Sequence, residues 1–165
     1  MSENKTLIAY ATRGGTTEDY AKAICSVLTG EFKMQAELVN LGKVHNPDLT
    51  SYRNVIVGAG IKMFRMHKEG TEFLEKSDFG DRSVLIFLSS LMPRDEAIKK
   101  YIDVIIQKNP KMRPLAVEVF GGRMRILGKT SEDKFDIEKA KEWTRKIAEQ
   151  LRSWRTQRNM PGQRR

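Results

Sequence analysis

The segment Thr6-Leu-Ile-Ala-Tyr-Ala-Thr-Arg-Gly-Gly-Thr-Thr17 contains a change of hydrophobic pattern that decides the fold. The stretch from Lys5 to Ala11 holds a continuous apolar run, which is typical of a strand buried on both faces. From Thr17 to Leu28 the apolar residues recur at helical spacing, and Gly30 is expected at the end of that helix. The segment therefore predicts a buried strand, a glycine-containing loop and a helix.

The same alternation continues along the chain. Further strands are predicted over Met34–Leu41, Asn54–Gly60, Val84–Ser89 and Pro114–Phe120. Further helices are predicted over His67–Lys76, Asp95–Lys108 and Asp136–Trp154, and the short connection 42–53 is predicted as a loop. Five strands alternating with helices predict an α/β fold, in which a parallel sheet is covered by helices on both faces. A ligand of such a sheet binds beyond the carboxyl ends of the strands, where the strand order reverses.

Composition and charge limit the classes of protein to consider. The chain has 165 residues and 18.9 kDa, which fits one domain. No apolar run approaches the roughly 20 residues of a membrane-spanning helix, and the polar start lacks a signal peptide, so cytoplasm is the expected location. One cysteine excludes an internal disulfide framework and a cysteine-based zinc cluster. A domain over residues 1–154 and a basic tail over residues 155–165 are predicted.

The basic charge is concentrated at the carboxyl end. The net charge is +9, and the stretch Arg152–Arg165 carries five arginines and no acidic residue. Such an end is typical of a contact with nucleic acid, anionic lipid or an acidic protein, and equally of a solvated terminus with no specific role. No patch of interleaved basic and aromatic residues indicates specific nucleic-acid binding.

The loop Thr12-Arg-Gly-Gly-Thr-Thr17 carries the clearest chemical signal. Its glycines let a ligand approach the backbone, and the free amides and dipole of the following helix favour an anion. The threonine hydroxyls add neutral donors, so a phosphate monoester is the expected ligand. The alternative is a simple helix cap formed by Thr16 or Thr17. The GxxxxGK[ST] nucleotide motif is absent, and Gly58-Ala-Gly60 lacks the third glycine of the dinucleotide motif.

These residues resemble the flavodoxin family. Thr12, Gly15 and Thr17 match its phosphate-loop pattern T/S-x-T-G-x-T, whereas Gly14 replaces a threonine. The stretch from Val55 to His67 is similar to the flavodoxin-domain group that includes menaquinone-dependent protoporphyrinogen oxidases. The resemblance covers most of residues 5–151. It implies a doubly wound fold with a five-stranded parallel sheet in the order 2-1-3-4-5, and flavin mononucleotide (FMN) as the cofactor.

The resemblance also implies site residues. The phosphate would be held by Thr12, Arg13, Gly14, Gly15, Thr16 and Thr17. The flavin ring would lie along Gly60, Ile61, Lys62, Met63 and Phe64, with its other edge at Ser89, Ser90 and Leu91. His67 is the candidate catalytic residue, as a proton donor. The alternatives are that Met63, Phe64 and Met66 belong to the core of the next helix, that the serines form a turn, and that His67 only begins a helix.

Three functions follow from these observations. The first is an electron carrier that serves protein partners with acidic faces, such as iron–sulfur proteins, because the chain is basic. The second is an enzyme of the protoporphyrinogen-oxidase type, in which Lys62, Arg65 and Arg123 hold porphyrinogen carboxylates and a quinone accepts electrons. The short, polar stretch 124–135 departs from that group. The third is a flavin-free module that binds anionic partners. The sequence leaves a homodimer open.

The phosphate loop generates the first prediction. Replacing Gly15 by Val and Thr17 by Ala should abolish the retention of FMN, because the double variant loses a close backbone approach and a hydroxyl donor. The measurement is bound flavin after gel filtration, with circular dichroism as the control for folding. Unchanged FMN affinity in the folded double variant would contradict the phosphate assignment.

Overall fold

The computed structural model describes residues 5–126 and 129–158. Five parallel strands form the central sheet, a short strand pairs antiparallel with the end of its middle strand, and a separate hairpin follows. The strands are β1 (Thr6–Ala11), β2 (Ala36–Asn40), β3 (Asn54–Lys62), β4 (Arg65–Met66), β5 (Ser83–Ser90), β6 (Ala116–Gly121), β7 (Arg123–Ile126) and β8 (Lys129–Asp133).

The sheet order is β2-β1-β3-β5-β6. When the five parallel strands are counted alone, this is the predicted order 2-1-3-4-5, and the predicted fold class is confirmed. β3 lies in the middle, with Ile56 opposite Ile8 of β1 and Leu85 of β5. No helix lies between β2 and β3, where the sequence predicts a loop.

The helices cover both faces of the sheet. They are α1 (Thr16–Gly30), α2 (Lys68–Lys76), α3 (Arg94–Ala97), α4 (Asp103–Lys108) and α5 (Ile137–Arg158), with a π-helical turn (Ile98–Ile102) between α3 and α4. Alternate residues of the central strands point to opposite faces. Val55 and Val57 of β3 join one buried cluster with α2 and α4, whereas Ile56 joins a second with α1 and α5. The two clusters bury both faces of the sheet.

Tyr20 ties α1 to the carboxyl end of β6. Its ring is fully buried against Phe120 and Phe135, with ring centroids 5.0 and 4.8 Å away. Its hydroxyl donates to the carbonyl oxygen of Gly121 and accepts the amide of Asp136 at 3.1 Å. These contacts hold the first turns of α1 at the edge of the sheet where the candidate site lies.

The hairpin formed by β7 and β8 is missing from the sequence-based prediction. The stretch from Met124 to Phe135 was predicted only as short and polar, yet β7 pairs with β8 in antiparallel register, with an irregularity between Met124 and Arg125. The alternation of basic and apolar residues in Arg-Met-Arg-Ile is the period-two signal of a strand. The hairpin interrupts the helix–strand alternation on which the prediction was based.

One helix end agrees with its prediction and another differs. α1 ends at Gly30 as expected, but Gly30 does not adopt the left-handed conformation; Lys33 does, with φ of 55°. α5 continues through Arg158, four residues beyond the expected end, so the first residues of the segment predicted as a tail continue the helix. The boundary between domain and tail stays a prediction, and residues 1–4 and 159–165 lie outside the described residues. Among the described helices, none is long and apolar enough to cross a membrane.

Gly58 offers a test of the packing of the sheet. A Cβ atom at Gly58 would lie 2.1 Å from Cζ of Phe87, whose buried ring also packs against Phe120 and Trp143. We expect Gly58→Ala to lower the free energy of unfolding by about 1–3 kcal/mol, because the crowded ring has no space to move into. Urea denaturation measures the change.

The matched control is Gly30→Ala. A Cβ atom at Gly30 meets nothing within 4 Å, and Gly30 lies at the end of a helix. This substitution should leave stability unchanged or raise it by up to about 1 kcal/mol. Wild-type stability of Gly58→Ala would contradict the packing described here.

Candidate functional site

The loops that follow β1, β3 and β5 meet at one edge of the sheet, because these three strands are neighbours and run in parallel. After β1 the chain enters α1, which packs on one face. After β3 it enters α2, which packs on the other face. The edge above β1 and β3 is therefore the point where the connections diverge, and doubly wound sheets bind ligands there.

The loop after β1 is open to a ligand. Gly15 precedes α1 with φ of +88°, a left-handed conformation that favours glycine. Its amide donates to Oγ1 of Thr12 at 3.0 Å, and its carbonyl accepts the amide of Asp19 at 3.0 Å. A Cβ atom at Gly14 or Gly15 would meet nothing within 4 Å. The first amides of α1 have no acceptor within the helix and can bind an anion.

Thr17 connects this loop to the end of β5. Its side chain is buried, and its Oγ1 lies 2.7 Å from Oγ of Ser89, which is also buried. A hydroxyl can donate one hydrogen bond and accept another. The structure therefore brings together two site residues that are 72 positions apart in the chain. It also orients the hydroxyl that the family pattern assigns to phosphate.

Arg13 is paired with a residue of α2. Its guanidinium donates to both carboxylate oxygens of Glu69, at 2.7 and 2.9 Å. The hydrogen bond from Arg13 holds the pKa of the Glu69 carboxyl below its usual range. The guanidinium is therefore already engaged by α2, and the neutral donors of the loop remain for an anion.

Arg123 brings a second cation to the start of α1. Its Nη2 lies 2.9 Å from Oδ2 of Asp19, its Nε donates to Oγ1 of Thr16 at 3.3 Å, and its guanidinium lies over the Phe135 ring. The sequence assigned Arg123 only to substrate carboxylates and missed this contact. The glycine pair before Arg123 was the available signal, because glycines after a strand allow a close approach.

The loop after β3 is a small hairpin. β3 continues to Lys62 and β4 pairs back onto it, with Ile61 opposite Met66. Met63 and Phe64 form the turn, with φ of 52° and 63°. Their side chains are 80% and 74% exposed, so the alternative that they belong to a helix core is wrong. Met66 is the residue that is buried, in β4.

The hairpin tip is held by the π-helical turn. Tyr101 donates its hydroxyl to the carbonyl oxygen of Phe64 at 2.5 Å, and Nζ of Lys100 lies 5.2 Å from the centroid of the Phe64 ring. Left-handed conformation at two adjacent residues other than glycine costs roughly 1–2 kcal/mol each. Backbone strain of this kind persists where surrounding contacts enforce it, and it is concentrated at functional sites.

His67 lies between the two loops. Its amide donates to the carbonyl oxygen of Gly60 at 3.0 Å, and it immediately precedes α2. A Cβ atom at Gly60 would lie 2.9 Å from Nε2 of His67 and 2.9 Å from Oγ1 of Thr17. Burial and then the Arg13 charge lower the pKa of the His67 imidazole, Glu69 acts in the opposite direction, and Lys62 adds a further lowering.

The end of β5 and the turn that follows it contain a serine of each kind that the sequence analysis considered, one in a turn contact and one at the candidate site. Ser90 is buried, and its Oγ accepts the amide of Met92 at 2.9 Å, which is the turn contact expected of a serine at a strand end. Its carbonyl accepts the amide of Gly122 at 3.0 Å. Leu91 is half-buried beside this turn. Ser89 contacts Thr17 and therefore lies nearest to the phosphate loop.

The model of the flavodoxin domain family matches residues 7–153. The chain belongs to this family. The match spans the whole sheet, α1 to α4 and most of α5, and it agrees with the resemblance read from the two loops. Flavodoxin domains bind FMN, so membership supports the cofactor that the sequence indicated.

Curated relatives match a shorter part of the chain. Protoporphyrinogen IX dehydrogenase [quinone] of Escherichia coli K12 is 35% identical over 72 residues, and the proteins of that name in strains O6:H1 and O157:H7 match equally. The match covers 44% of this chain and 39% of each relative. The chain thus aligns with about two fifths of the length of these relatives.

Solved structures share the architecture. Flavodoxin 1 of Bacillus cereus is 20% identical with a TM-score of 0.60, covering 88% of this chain and 98% of its own. The flavodoxin of Streptococcus pneumoniae TIGR4 is 14% identical with a TM-score of 0.62, covering 88% and 99%. At these identities the likeness establishes the fold.

The residues at the candidate site fit FMN. The open space at Gly14 and Gly15, the amides at the start of α1 and the buried Thr17 hydroxyl suit a phosphate monoester. The exposed Met63 and Phe64 offer polarisable and aromatic surface to a flat ring. Both features lie at the carboxyl ends of adjacent strands, as one phosphorylated flavin requires.

The hairpin tip, formed by Met63 and Phe64, generates the third prediction. Replacing Met63 by Asn and Phe64 by Gly installs the residues that this turn conformation prefers. We expect the free energy of unfolding of the apoprotein to rise by about 1 kcal/mol, because strain is relieved. We expect FMN affinity to fall, because the surface for the ring is lost. Chemical denaturation and fluorescence titration measure the two effects.

The control is Val44→Asn, which removes another exposed apolar side chain from a loop on a different connection. It should change neither quantity. Wild-type FMN affinity in the double variant would contradict the assignment of the hairpin tip to the flavin ring.

Proposed function

We propose that this flavodoxin-domain protein binds FMN and carries electrons between protein partners. The observation that carries the proposal is the exposed, strained tip formed by Met63 and Phe64 beside the open glycine loop. Because these two side chains are exposed, they contribute little to the hydrophobic core. Beside a phosphate site, it offers a ring-binding surface at the outside of the molecule.

Each group of residues has a distinct task in this proposal. The amides at the start of α1, with Thr12 and Thr17, hold the phosphate. Met63 and Phe64 contact the ring, and the segment 89–91 follows its other edge. When bound, the flavin supplies the redox chemistry. The proton-donor role of His67 stays a prediction, which the pH dependence of flavin turnover in His67→Ala tests.

Charge supports partners with acidic faces. The net charge of the chain is +9, and basic residues surround the hairpin tip: Lys62 and Arg65 flank it in sequence, and Lys100 lies over Phe64. Complementary charge accelerates encounter between redox partners more than it strengthens the final complex. Small acidic iron–sulfur proteins are therefore the proposed class of partner.

The second candidate function is oxidation of a porphyrinogen with transfer of electrons to a quinone. The specific observation that favours it is the 35% identity with the E. coli protoporphyrinogen IX dehydrogenase [quinone]. Lys62 and Arg65 are the exposed cations available for substrate carboxylates. Arg123 is less available for this task, because its side chain is 17% exposed and its guanidinium is paired with Asp19. A flavin-free module for anionic partners remains the third candidate.

Electron transfer to a defined partner tests the proposal. The protein is loaded with FMN, reduced chemically and mixed with an oxidised acidic ferredoxin, and ferredoxin reduction is followed by absorbance. We expect transfer that slows as salt rises, because screening weakens the steering of exposed charges. Arg65→Glu should slow it several-fold at low salt without releasing flavin.

The control is Lys43→Glu, which makes the same charge change in the loop after β2. It should slow transfer less than Arg65→Glu. Reduction of the flavin by protoporphyrinogen, with no transfer to ferredoxin, would favour the oxidase instead. A folded protein that does not retain FMN would contradict both redox functions and favour the flavin-free module.

A further inference from the structure

Gly60 lies between two candidate site residues, and a Cβ atom at this position would crowd both of their side chains. A Cβ atom there would lie 2.9 Å from Nε2 of His67 and 2.9 Å from Oγ1 of Thr17. Real Cβ atoms essentially never approach other heavy atoms so closely. Because both atoms lie near one point, they are within about 6 Å of each other. The imidazole therefore faces the phosphate loop.

The ring nitrogens of His67 are available to a ligand. Within the part of the chain whose side chains the structure describes, no group makes a hydrogen bond to the imidazole. The ring is half-buried rather than sealed in the core. Thr17 beside it is already oriented by Ser89, so the two side chains form a prearranged pair of polar groups on one side of the loop.

The glycine at position 14 leaves the phosphate loop with one hydroxyl donor fewer than the family pattern. The flavodoxin pattern has a threonine at this position, and here the corresponding hydroxyl is absent. We propose that His67 takes its place, donating a hydrogen bond from Nε2 to the FMN phosphate opposite the amides of α1. This assignment rests on the proposed binding of FMN and concerns the phosphate, not the flavin ring.

The charges around His67 make the proposed contact sensitive to pH. Arg13 from the phosphate loop and Lys62 from the hairpin disfavour the imidazolium, whereas Glu69 from α2 favours it. In the free protein the pKa of His67 lies below its usual value, with burial as the largest cause. A phosphate dianion beside the ring would raise that pKa, because opposite charge stabilises the imidazolium.

The sign of the pH effect follows from this difference. A group whose pKa rises on binding takes up a proton with the ligand, so affinity increases as pH falls through the pKa of the complex and levels off below the pKa of the free protein. The second pKa of a phosphate monoester is itself about 6. The effect is therefore sought between about pH 6.5 and 8.5, where the phosphate is mostly a dianion.

The experiment compares FMN with riboflavin, which has the same ring and no phosphate. Dissociation constants of both are measured by flavin fluorescence across this pH range, for the wild type and for His67→Ala, His67→Gln and His45→Ala. His45 is the other histidine of the chain and is exposed in the loop after β2, which makes it the matched control. Circular dichroism verifies that each variant is folded.

The proposal predicts a specific pattern. His67→Ala should weaken FMN roughly ten- to hundredfold, the usual effect of losing a hydrogen bond to a charged group, and leave riboflavin unchanged. His67→Gln, which keeps a neutral donor, should recover part of the FMN affinity without the pH dependence. In the wild type, the preference for FMN over riboflavin should increase as pH falls, and His45→Ala should behave in the same way.

Other outcomes distinguish a failure of the His67 assignment from a failure of the proposed function. Equal loss of FMN and riboflavin in the folded His67 variants would place His67 at the ring and overturn the phosphate assignment alone. Wild-type FMN affinity in His67→Ala and His67→Gln would also overturn it alone. Failure of the wild type to bind either flavin would overturn the proposed function together with this assignment.

Discussion

The buried hydrogen bond between Thr17 and Ser89 sets where α1 begins above the sheet. The two oxygens are 2.7 Å apart, and a buried hydroxyl that lost its partner would cost about 1–3 kcal/mol. With Thr17 fixed, the first turn of α1 must lie directly beyond the ends of β3 and β5. The left-handed Gly15 brings the chain from β1 into that position, and the free amides of the helix then face the space above the strands.

The same constraint explains the absence of a side chain at Gly60. The end of β3 passes close to both Thr17 and His67, so the three groups share one small volume. His67 is held there by the hydrogen bond from its amide to the Gly60 carbonyl oxygen and by its position directly before α2. The loop after β1, the middle strand and α2 are thus connected, and the pair of Arg13 with Glu69 links the loop directly to α2.

The hairpin tip, to which we assign the flavin ring, is built differently. Met63 and Phe64 hold an unfavourable backbone conformation with exposed apolar side chains, and Tyr101 fixes the tip from a π-helical turn. Two irregular elements therefore meet at one place, as is common at functional sites. The backbone of the tip is strained, whereas Thr12, Gly15 and Thr17 after β1 are all hydrogen-bonded. This contrast fits a surface that exchanges electrons with partners beside a site that retains its cofactor.

Much of this fold follows from local patterns. The apolar runs predicted the five parallel strands, and Gly14 and Gly15 after the first of them predicted an anion loop. Contacts between distant residues were not predictable in this way. The approach of Arg123 to Thr16, and of His67 to Thr17, depends on how separate loops pack, which no local spacing records.

At the hairpin tip, the local pattern of the sequence predicted the wrong environment. Methionine and phenylalanine before a helix normally indicate core, and their exposure arises because β3 continues past Gly60 and turns back at Met63. The residues typical of such a turn are asparagine and glycine, so turn propensities did not predict a turn at Met63 and Phe64. A local rule is violated at the candidate site, which agrees with the general behaviour of binding sites.

A crystal structure of the protein grown with FMN tests the central claim most directly. The account predicts the phosphate on the amides at the start of α1, within hydrogen-bond distance of Thr17, and the flavin ring against Met63 and Phe64. Flavin bound at any other edge of the sheet, or bound with its phosphate away from Gly15, would contradict it.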